Sequence, residues 1–244
     1  MLHEYPGGAT GALCYNAVPA NRNGPLRLAI FDLDNTLITR DSDHLWGEYL
    51  AERGVVDGGD YRRRNDHYLA EYQAGTLDIH EFLRFSLRVL AEHDPGELVR
   101  LRAGFIEEKI APIVARGTPS LLARHRDAGD HLMIITATNS FVTEPIARML
   151  GVETLIATEP EQREGRYTGE VTGTPCFREG KVERLRHWLG ENGVDLQGSA
   201  FYSDSHNDLP LLEQVERPCA VDPDEHLAAA ARARNWPVIS LRGD

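Results

Sequence analysis

Asp32 and Asp34 stand two residues apart, directly after the apolar run Leu28-Ala29-Ile30-Phe31. In an extended segment that spacing points both carboxylates to one side. Two later apolar runs end in comparable residues: Leu132-Met133-Ile134-Ile135 in Thr136, and Ala200-Phe201-Tyr202-Ser203 in Asp204, with Asp208 four residues on. Four carboxylates gathered at one place form a like-charge cluster that needs a cation to be tolerable. Hard oxygen donors with no accompanying Cys/His cluster suit Mg²⁺ rather than zinc. Only Lys109 and Lys181 are lysines, and Lys181 follows Gly180 at the start of a helical pattern over 182–189. Nucleophile, proton donor, metal and cationic clamp are the parts that phosphoryl transfer to a carboxylate requires. Each residue also has a structural reading. Asp32 and Asp34 can cap a turn, Thr136 can satisfy a helix N-terminus, Lys181 can be a solvated helix residue, and Asp208 can face a helix dipole one turn into a helix.

The runs at 26–31, 131–136, 199–203 and 218–221 read as buried strands, each later one followed by a turn and a helical pattern. Strands alternating with helices predict an α/β fold, a doubly wound parallel sheet with helices on both faces. Such a sheet binds its ligand at the carboxyl ends of the strands, which is where the acids fall. The stretch 41–112 breaks the rhythm, with helical periods alone at 43–53, 61–74, 79–91 and 95–110. It reads as a helical cap domain inserted between the first two strands. The predicted organisation is a flexible N-terminal extension (1–25), an α/β core (26–40 and 113–244) and the cap (41–112). Cap hinges are expected near Arg40–Asp41 and Pro112–Gly117, and 167–172 alternates as a short antiparallel strand would.

The charge balance excludes several function classes. Lys plus Arg number 26 against 38 Asp plus Glu, a formal charge of −12, so a nucleic-acid or anionic-membrane binder is not expected. Cys14, Cys176 and Cys219 are scattered and support neither a disulfide framework nor a zinc site. No run approaches the roughly 18 apolar residues of a membrane span, and the N-terminus lacks a signal-peptide pattern. A cytoplasmic protein acting on a small molecule is the expectation; the pattern specifies no oligomeric state.

The motifs Asp32-Leu-Asp34-Asn-Thr36, Ile-Ile-Thr136, Lys181 and Asp204-Ser-His-Asn-Asp208 resemble, in order, the four signatures of the haloacid dehalogenase superfamily of phosphatases. The helical cap looks like that of its phosphoserine-phosphatase-like branch. The resemblance implies a Rossmann-like core and Mg²⁺-dependent hydrolysis of a small phosphomonoester. It makes Asp32 the nucleophile, forming an aspartyl-phosphate, and Asp34 the acid and then the base. Thr136 and Lys181 would hold the phosphoryl oxygens. Asp204, Asp32 and the Asp34 carbonyl would ligate Mg²⁺, with Asp208 supporting that shell.

Asp41 and Asp43 are the expected substrate contacts, Asp41 standing nine residues after Asp32, where phosphoserine phosphatases carry an acid for the substrate amine. Those enzymes also set a cap arginine against the substrate carboxylate. A gapless placement puts Ser86 there, flanked by Arg84 and Arg88, and a one-turn slip would restore an arginine. Acids without that arginine favour an amine- or imidazole-bearing substrate. The segments Asp-Ser-Asp-His-Leu-Trp and Tyr-Ser-Asp-Ser-His-Asn-Asp-Leu-Pro look like branch members assigned as histidinol-phosphate phosphatases, implying a role in amino-acid biosynthesis. Phosphoserine hydrolysis, phosphoryl transfer to another alcohol and a non-catalytic Mg²⁺-binding module are the alternatives. His206, Cys176, the run Arg62–Arg64 and Trp46 read as a loop residue, a packed thiol, a solvated face and cap packing.

Overall fold

A computed structural model describes residues 26–243; the expected flexible extension at 1–25 lies outside them. The centre of the sheet is β1 (Leu28–Phe31), whose four side chains are all fully buried. A strand covered on both faces needs such an unbroken apolar run. Alternation sends Ala29 and Phe31 to one face and Leu28 and Ile30 to the other, where they join two separate cores.

The remaining strands are β2 (His131–Asn139), β3 (Thr154–Arg163), β4 (Arg166–Thr172), β5 (Ala200–Ser203), β6 (Arg217–Val221) and β7 (Val238–Ile239). They form one sheet in the order β4-β3-β2-β1-β5-β6-β7, parallel throughout except for the antiparallel β3–β4 ribbon. The chain winds outward from β1 through β2 and β3, then returns to place β5 on the other side of β1. That reversal opens a crevice at the carboxyl ends of β2, β1 and β5. Strand β2 runs three residues beyond the expected end at Thr136, and β3 and β7 were not expected at all.

Between β1 and the return of the chain to the sheet lie α1 (Ser42–Glu52), α2 (Asp60–Ala74), α3 (Ile79–Glu92) and α4 (Pro95–Phe105). Asp41, Asp78 and Asp94 cap α1, α3 and α4 by accepting backbone amides of the first turn. The helical run expected at 95–110 continues past Phe105 as a π-helical turn (Ile106–Ile110) and closes in a 3₁₀ turn (Ala111–Ile113). Trp46 packs against Tyr49 and Phe105 and also against Phe141 beyond the insertion, with ring centroids 6.1, 5.2 and 5.9 Å away. The helices thus share one apolar core with a face of the sheet.

The chain leaves the sheet and returns through a two-stranded stem, where Ile38 pairs antiparallel with Val114. The Thr39 amide donates to the Ile113 carbonyl at 2.8 Å, and the Ala115 amide to the Leu37 carbonyl at 3.0 Å. Gly117 is pinned rather than free: its amide donates to the Leu241 carbonyl, and a Cβ there would lie 2.8 Å from the Leu241 side chain.

The other core helices are α5 (Thr118–Asp127), α6 (Ser140–Met149), α7 (Glu179–Asn192), the single turn α8 (Leu209–Leu212) and α9 (Glu225–Arg234). Among the described residues no helix is long and apolar enough to cross a membrane.

Candidate active site

The chain after β1 turns sharply. Asn35 takes the left-handed conformation at φ 59°, which Asn tolerates better than most residues, and the Ile38 amide closes onto the Leu33 carbonyl at 3.1 Å. The turn gives the two carboxylates different partners. Asp32 Oδ1 receives the Lys181 ammonium at 2.7 Å. Asp34 Oδ1 accepts the Ser42 amide at the head of α1 at 2.7 Å, and its Oδ2 accepts the Thr138 hydroxyl at 2.8 Å and the Thr136 hydroxyl at 3.3 Å.

Lys181 reaches the site because α7 begins tightly against the preceding loop. A Cβ on Gly180 would lie 2.1 Å from the Pro175 carbonyl oxygen. The ammonium, 1 % exposed, bridges Asp32 and Asp208 at 2.7 Å each. Burial alone would lower its pKa, but Asp208 and Asp32 outweigh that and hold it well above the usual value. Asp208 also accepts the Ser203 hydroxyl at 2.7 Å, so its carboxylate is committed to Lys181 and Ser203. It stands in a tight turn just ahead of α8, not one turn inside a helix.

Asp204 joins the group through Thr36. The Thr36 hydroxyl lies 3.1 Å from Asp204 Oδ1 and 3.4 Å from Asp32 Oδ2, and it accepts the Asp204 amide at 3.1 Å. Burial lifts the Asp32 pKa to about 7, with Asp208 and Asp34 adding to the rise and Lys181 opposing it. Burial, then Asp32 and Asp208, push Asp204 well above the carboxylate range. The Lys181 ammonium pairs with Asp32 and Asp208 and leaves Asp204 without a cation among the described residues.

Facing Asp32 and Asp34 is a cavity of about 550 Å³, including its mouth, between the sheet edge and the helices. Asp41, Asp43, His44 and Asn65 form its polar wall, and Tyr68, Leu69, Tyr72, Leu77, Phe82 and Phe177 much of its apolar one. Asp43 Oδ2 is buried with no hydrogen-bond partner. Burial, then Asp41 and Asp34, raise the Asp43 pKa well above its ordinary value; burial and Asp34 lift Asp41 to about 7. Among the described residues no arginine lines the cavity. Arg84 and Arg88 are exposed, Arg88 pairing with Glu92 at 3.2 Å.

The pattern of the haloacid dehalogenase-like hydrolases matches residues 29–213, spanning all of these strand-end residues. The chain belongs to the haloacid dehalogenase-like hydrolase family. It is 43 % identical over 219 residues to a histidinol-phosphatase of Neisseria meningitidis serogroup C (strain 8013), covering 88 % of this chain and 99 % of that one. It is 32 % identical over 234 residues to a phosphoserine phosphatase of Mycobacterium tuberculosis (strain ATCC 25618 / H37Rv), covering 93 % and 75 %. A crystal structure of a protein of unknown function from Bordetella pertussis Tohama I superposes with a TM-score of 0.84 at 47 % identity, over 89 % of this chain and all of that one. This haloacid dehalogenase-like hydrolase is a phosphatase.

The phosphatase thus brings Asp32, Asp34, Thr136, Lys181, Asp204 and Asp208 to one sheet edge, with Asp41 and Asp43 across the cavity. Thr136 is not a helix cap. It lies within β2, while Asn139 caps α6 by accepting the Val142 amide. Sequence reasoning missed Thr138, Ser203 and Asn65. Cys176 is fully buried, its thiol pushed up to about 12 by burial, a packed residue as expected. His206 does not line the cavity; its Nδ1 lies 2.8 Å from Asp224.

Proposed function

We propose that this phosphatase hydrolyses L-histidinol phosphate through an aspartyl-phosphate on Asp32, with residues 41–112 acting as the cap that selects the substrate. The observation that carries the substrate reading is the cavity wall: two acids, one with an unpartnered buried oxygen, and no arginine. Such a wall suits a substrate with an amine and an imidazole, and leaves a carboxylate such as that of phosphoserine without a counter-ion. The histidinol-phosphatase relative of Neisseria meningitidis supports the same reading.

The donor set fits Mg²⁺. Among the described residues no three His, Cys, Asp or Glu side chains form a closed metal cage. Asp32 and Asp204 converge instead on one hydroxyl, and Mg²⁺ is commonly held by one or two carboxylates, leaving room for water and phosphate oxygens. Asp32, Asp204 and the Asp34 carbonyl would hold the ion, and Asp208 would steady the group through Lys181. Bound there, Mg²⁺ supplies positive charge to the acids and the phosphoryl oxygens.

The chain's own residues divide the remaining work. An Asp32 oxygen forms the bond to phosphorus as the bond to the substrate oxygen breaks, and Asp34 gives that oxygen its proton. Asp34 then takes a proton from water, whose oxygen attacks phosphorus, releasing inorganic phosphate and restoring Asp32. Lys181 and Thr136 bind phosphoryl oxygens, and Asp41 and Asp43 hold the substrate's cationic groups.

The test is phosphate release from L-histidinol phosphate, L-phosphoserine, phosphoethanolamine, phosphocholine and a sugar phosphate, with and without Mg²⁺, using Asp32→Asn as control. The expected result is Mg²⁺-dependent release that prefers histidinol phosphate and vanishes in the control. A preference for phosphoserine overturns the substrate reading, and full activity in Asp32→Asn overturns the mechanism.

A further inference from the structure

Arg178 stands three residues before Lys181 in a conformation rare for any residue but glycine, φ 51° and ψ −120°. Holding a side chain there is strained, and surrounding contacts must offset the strain. Those contacts join three parts of the molecule. Arg178 Nη2 donates to the Gly75 carbonyl at 2.5 Å, at the C-terminal end of α2. Its Nε donates to Asn207 Oδ1 at 2.9 Å, in the loop between Asp204 and Asp208. Its carbonyl accepts the Lys181 amide at 3.0 Å, in the first turn of α7.

The bond to Asn207 has a further effect. A guanidinium only donates, so it fixes which end of the Asn207 amide faces it. The Asn207 nitrogen is then turned to the Tyr72 carbonyl, which it meets at 3.2 Å. Two carbonyls of the last turn of α2 are thereby held by one connected pair of core side chains. A cation at the carbonyl end of a helix is also favoured by the helix dipole. The same helix supplies Asn65, Tyr68, Leu69 and Tyr72 to the cavity. Gly75 leaves room for this docking, since a Cβ there would lie 2.7 Å from His206 Nε2 and 3.2 Å from Arg178 Nη2.

We propose that Arg178 is a positioning residue that couples the seating of α2 over the cavity to the placement of Lys181 and of the Asp204–Asp208 loop. It touches none of the reacting groups. When α2 is seated, the guanidinium completes its bonds and both loops are held; when α2 lifts, it loses the Gly75 carbonyl and keeps Asn207 and the Phe177 ring, whose centroid lies 4.9 Å away. The inference rests on the family activity and not on the identity of the substrate.

The experiment compares Arg178→Ala, Arg178→Lys, Asn207→Ala and the Arg178→Ala/Asn207→Ala double variant in the full chain, using a small aryl phosphate with Mg²⁺ and recording kcat, KM and melting temperature. Misplacement of the reacting groups by about 1 Å costs roughly 100-fold in rate. Arg178→Ala is therefore expected to lower kcat by about 10- to 100-fold with little change in melting temperature. Arg178→Lys, or added guanidinium with Arg178→Ala, recovers part of the loss. The double variant is expected to lose far less than the product of the two single losses, because both residues belong to one chain of contacts. Wild-type turnover in Arg178→Ala, multiplicative losses in the double variant, or a loss that tracks melting temperature and is rescued by neither Lys nor guanidinium would overturn the proposal.

Discussion

Replacing Asp41 with Asn should raise stability and lower selectivity together, and both effects can be worked from its surroundings. Asp41 stands partly exposed at the head of α1, its Oδ1 accepting the His44 amide at 2.8 Å. Burial, then the Asp34 carboxylate, lifts its pKa from 3.8 to about 7. A rise of that size corresponds to about 4 kcal/mol, and solvent at the rim screens roughly half, leaving ~2 kcal/mol. The native state keeps a proton that the unfolded chain releases, so this acid makes stability fall as pH climbs from about 4 to about 7.

Asparagine caps a helix as well as aspartate does but carries no charge. Asp41→Asn should therefore gain ~2 kcal/mol at pH 8, much less at pH 5, and almost nothing near pH 4. The same variant loses a charge-assisted bond to the substrate amine, worth about 1.5–3 kcal/mol. Its kcat/KM for L-histidinol phosphate should fall about 10- to 100-fold, while that for an uncharged aryl phosphate changes less than about 2-fold. Urea midpoints at pH 5 and pH 8, with phosphate release from both substrates, measure all of this. An equal fall for both substrates, or a stability gain independent of pH, would refute the reasoning.

Three further outcomes follow from the same geometry. Lys181→Met leaves Asp32 and Asp208 buried without their shared cation, so it should destabilise the fold by about 3–5 kcal/mol in urea unfolding and lower kcat at least 100-fold. Mg²⁺ at 100 times its Kd should stabilise the enzyme by about 2.7 kcal/mol, a rise of roughly 5–11 °C in melting temperature, abolished by a chelator and strongly reduced in Asp204→Asn. Gly180→Ala forces a methyl group against the Pro175 carbonyl, which should cost about 1–3 kcal/mol and shift Lys181 enough to reduce kcat more than 10-fold in phosphate-release assays.

The candidate site residues other than Lys181 were legible because they fall at or just after apolar runs, and burial on both faces of a parallel sheet makes such runs unbroken. Asp32, Asp204 and Thr136 could be placed by that signal alone. Thr138 could not: after Ile135, β2 continues through Thr-Ala-Thr-Asn, a stretch that reads as a turn until Asp34 is seen accepting its hydroxyls. Strand β3 was missed because its second half is polar and pairs antiparallel with β4 at the edge of the sheet. Arg178 and Asn207 lie 103 and 135 residues from the cap carbonyls they hold, a separation no local pattern records. Spacing put a carboxylate-binding arginine in doubt, and Arg84 and Arg88 are exposed rather than lining the cavity. Gly117, at the end of the expected hinge 112–117, packs against Leu241, a contact 124 residues away that local pattern does not record.

The paired stem of Ile38 and Val114 bears on how such an enzyme can change over time. Paired antiparallel strands lie about 5 Å apart, a gap that even a two-residue turn can close. The chain therefore enters and leaves the inserted helices side by side, while Trp46 on Phe141 and Arg178 on Gly75 tie them to the α/β core. The stretch proposed to choose the substrate thus meets the core both through a narrow stem and through side-chain contacts, so a change in either is felt at the other.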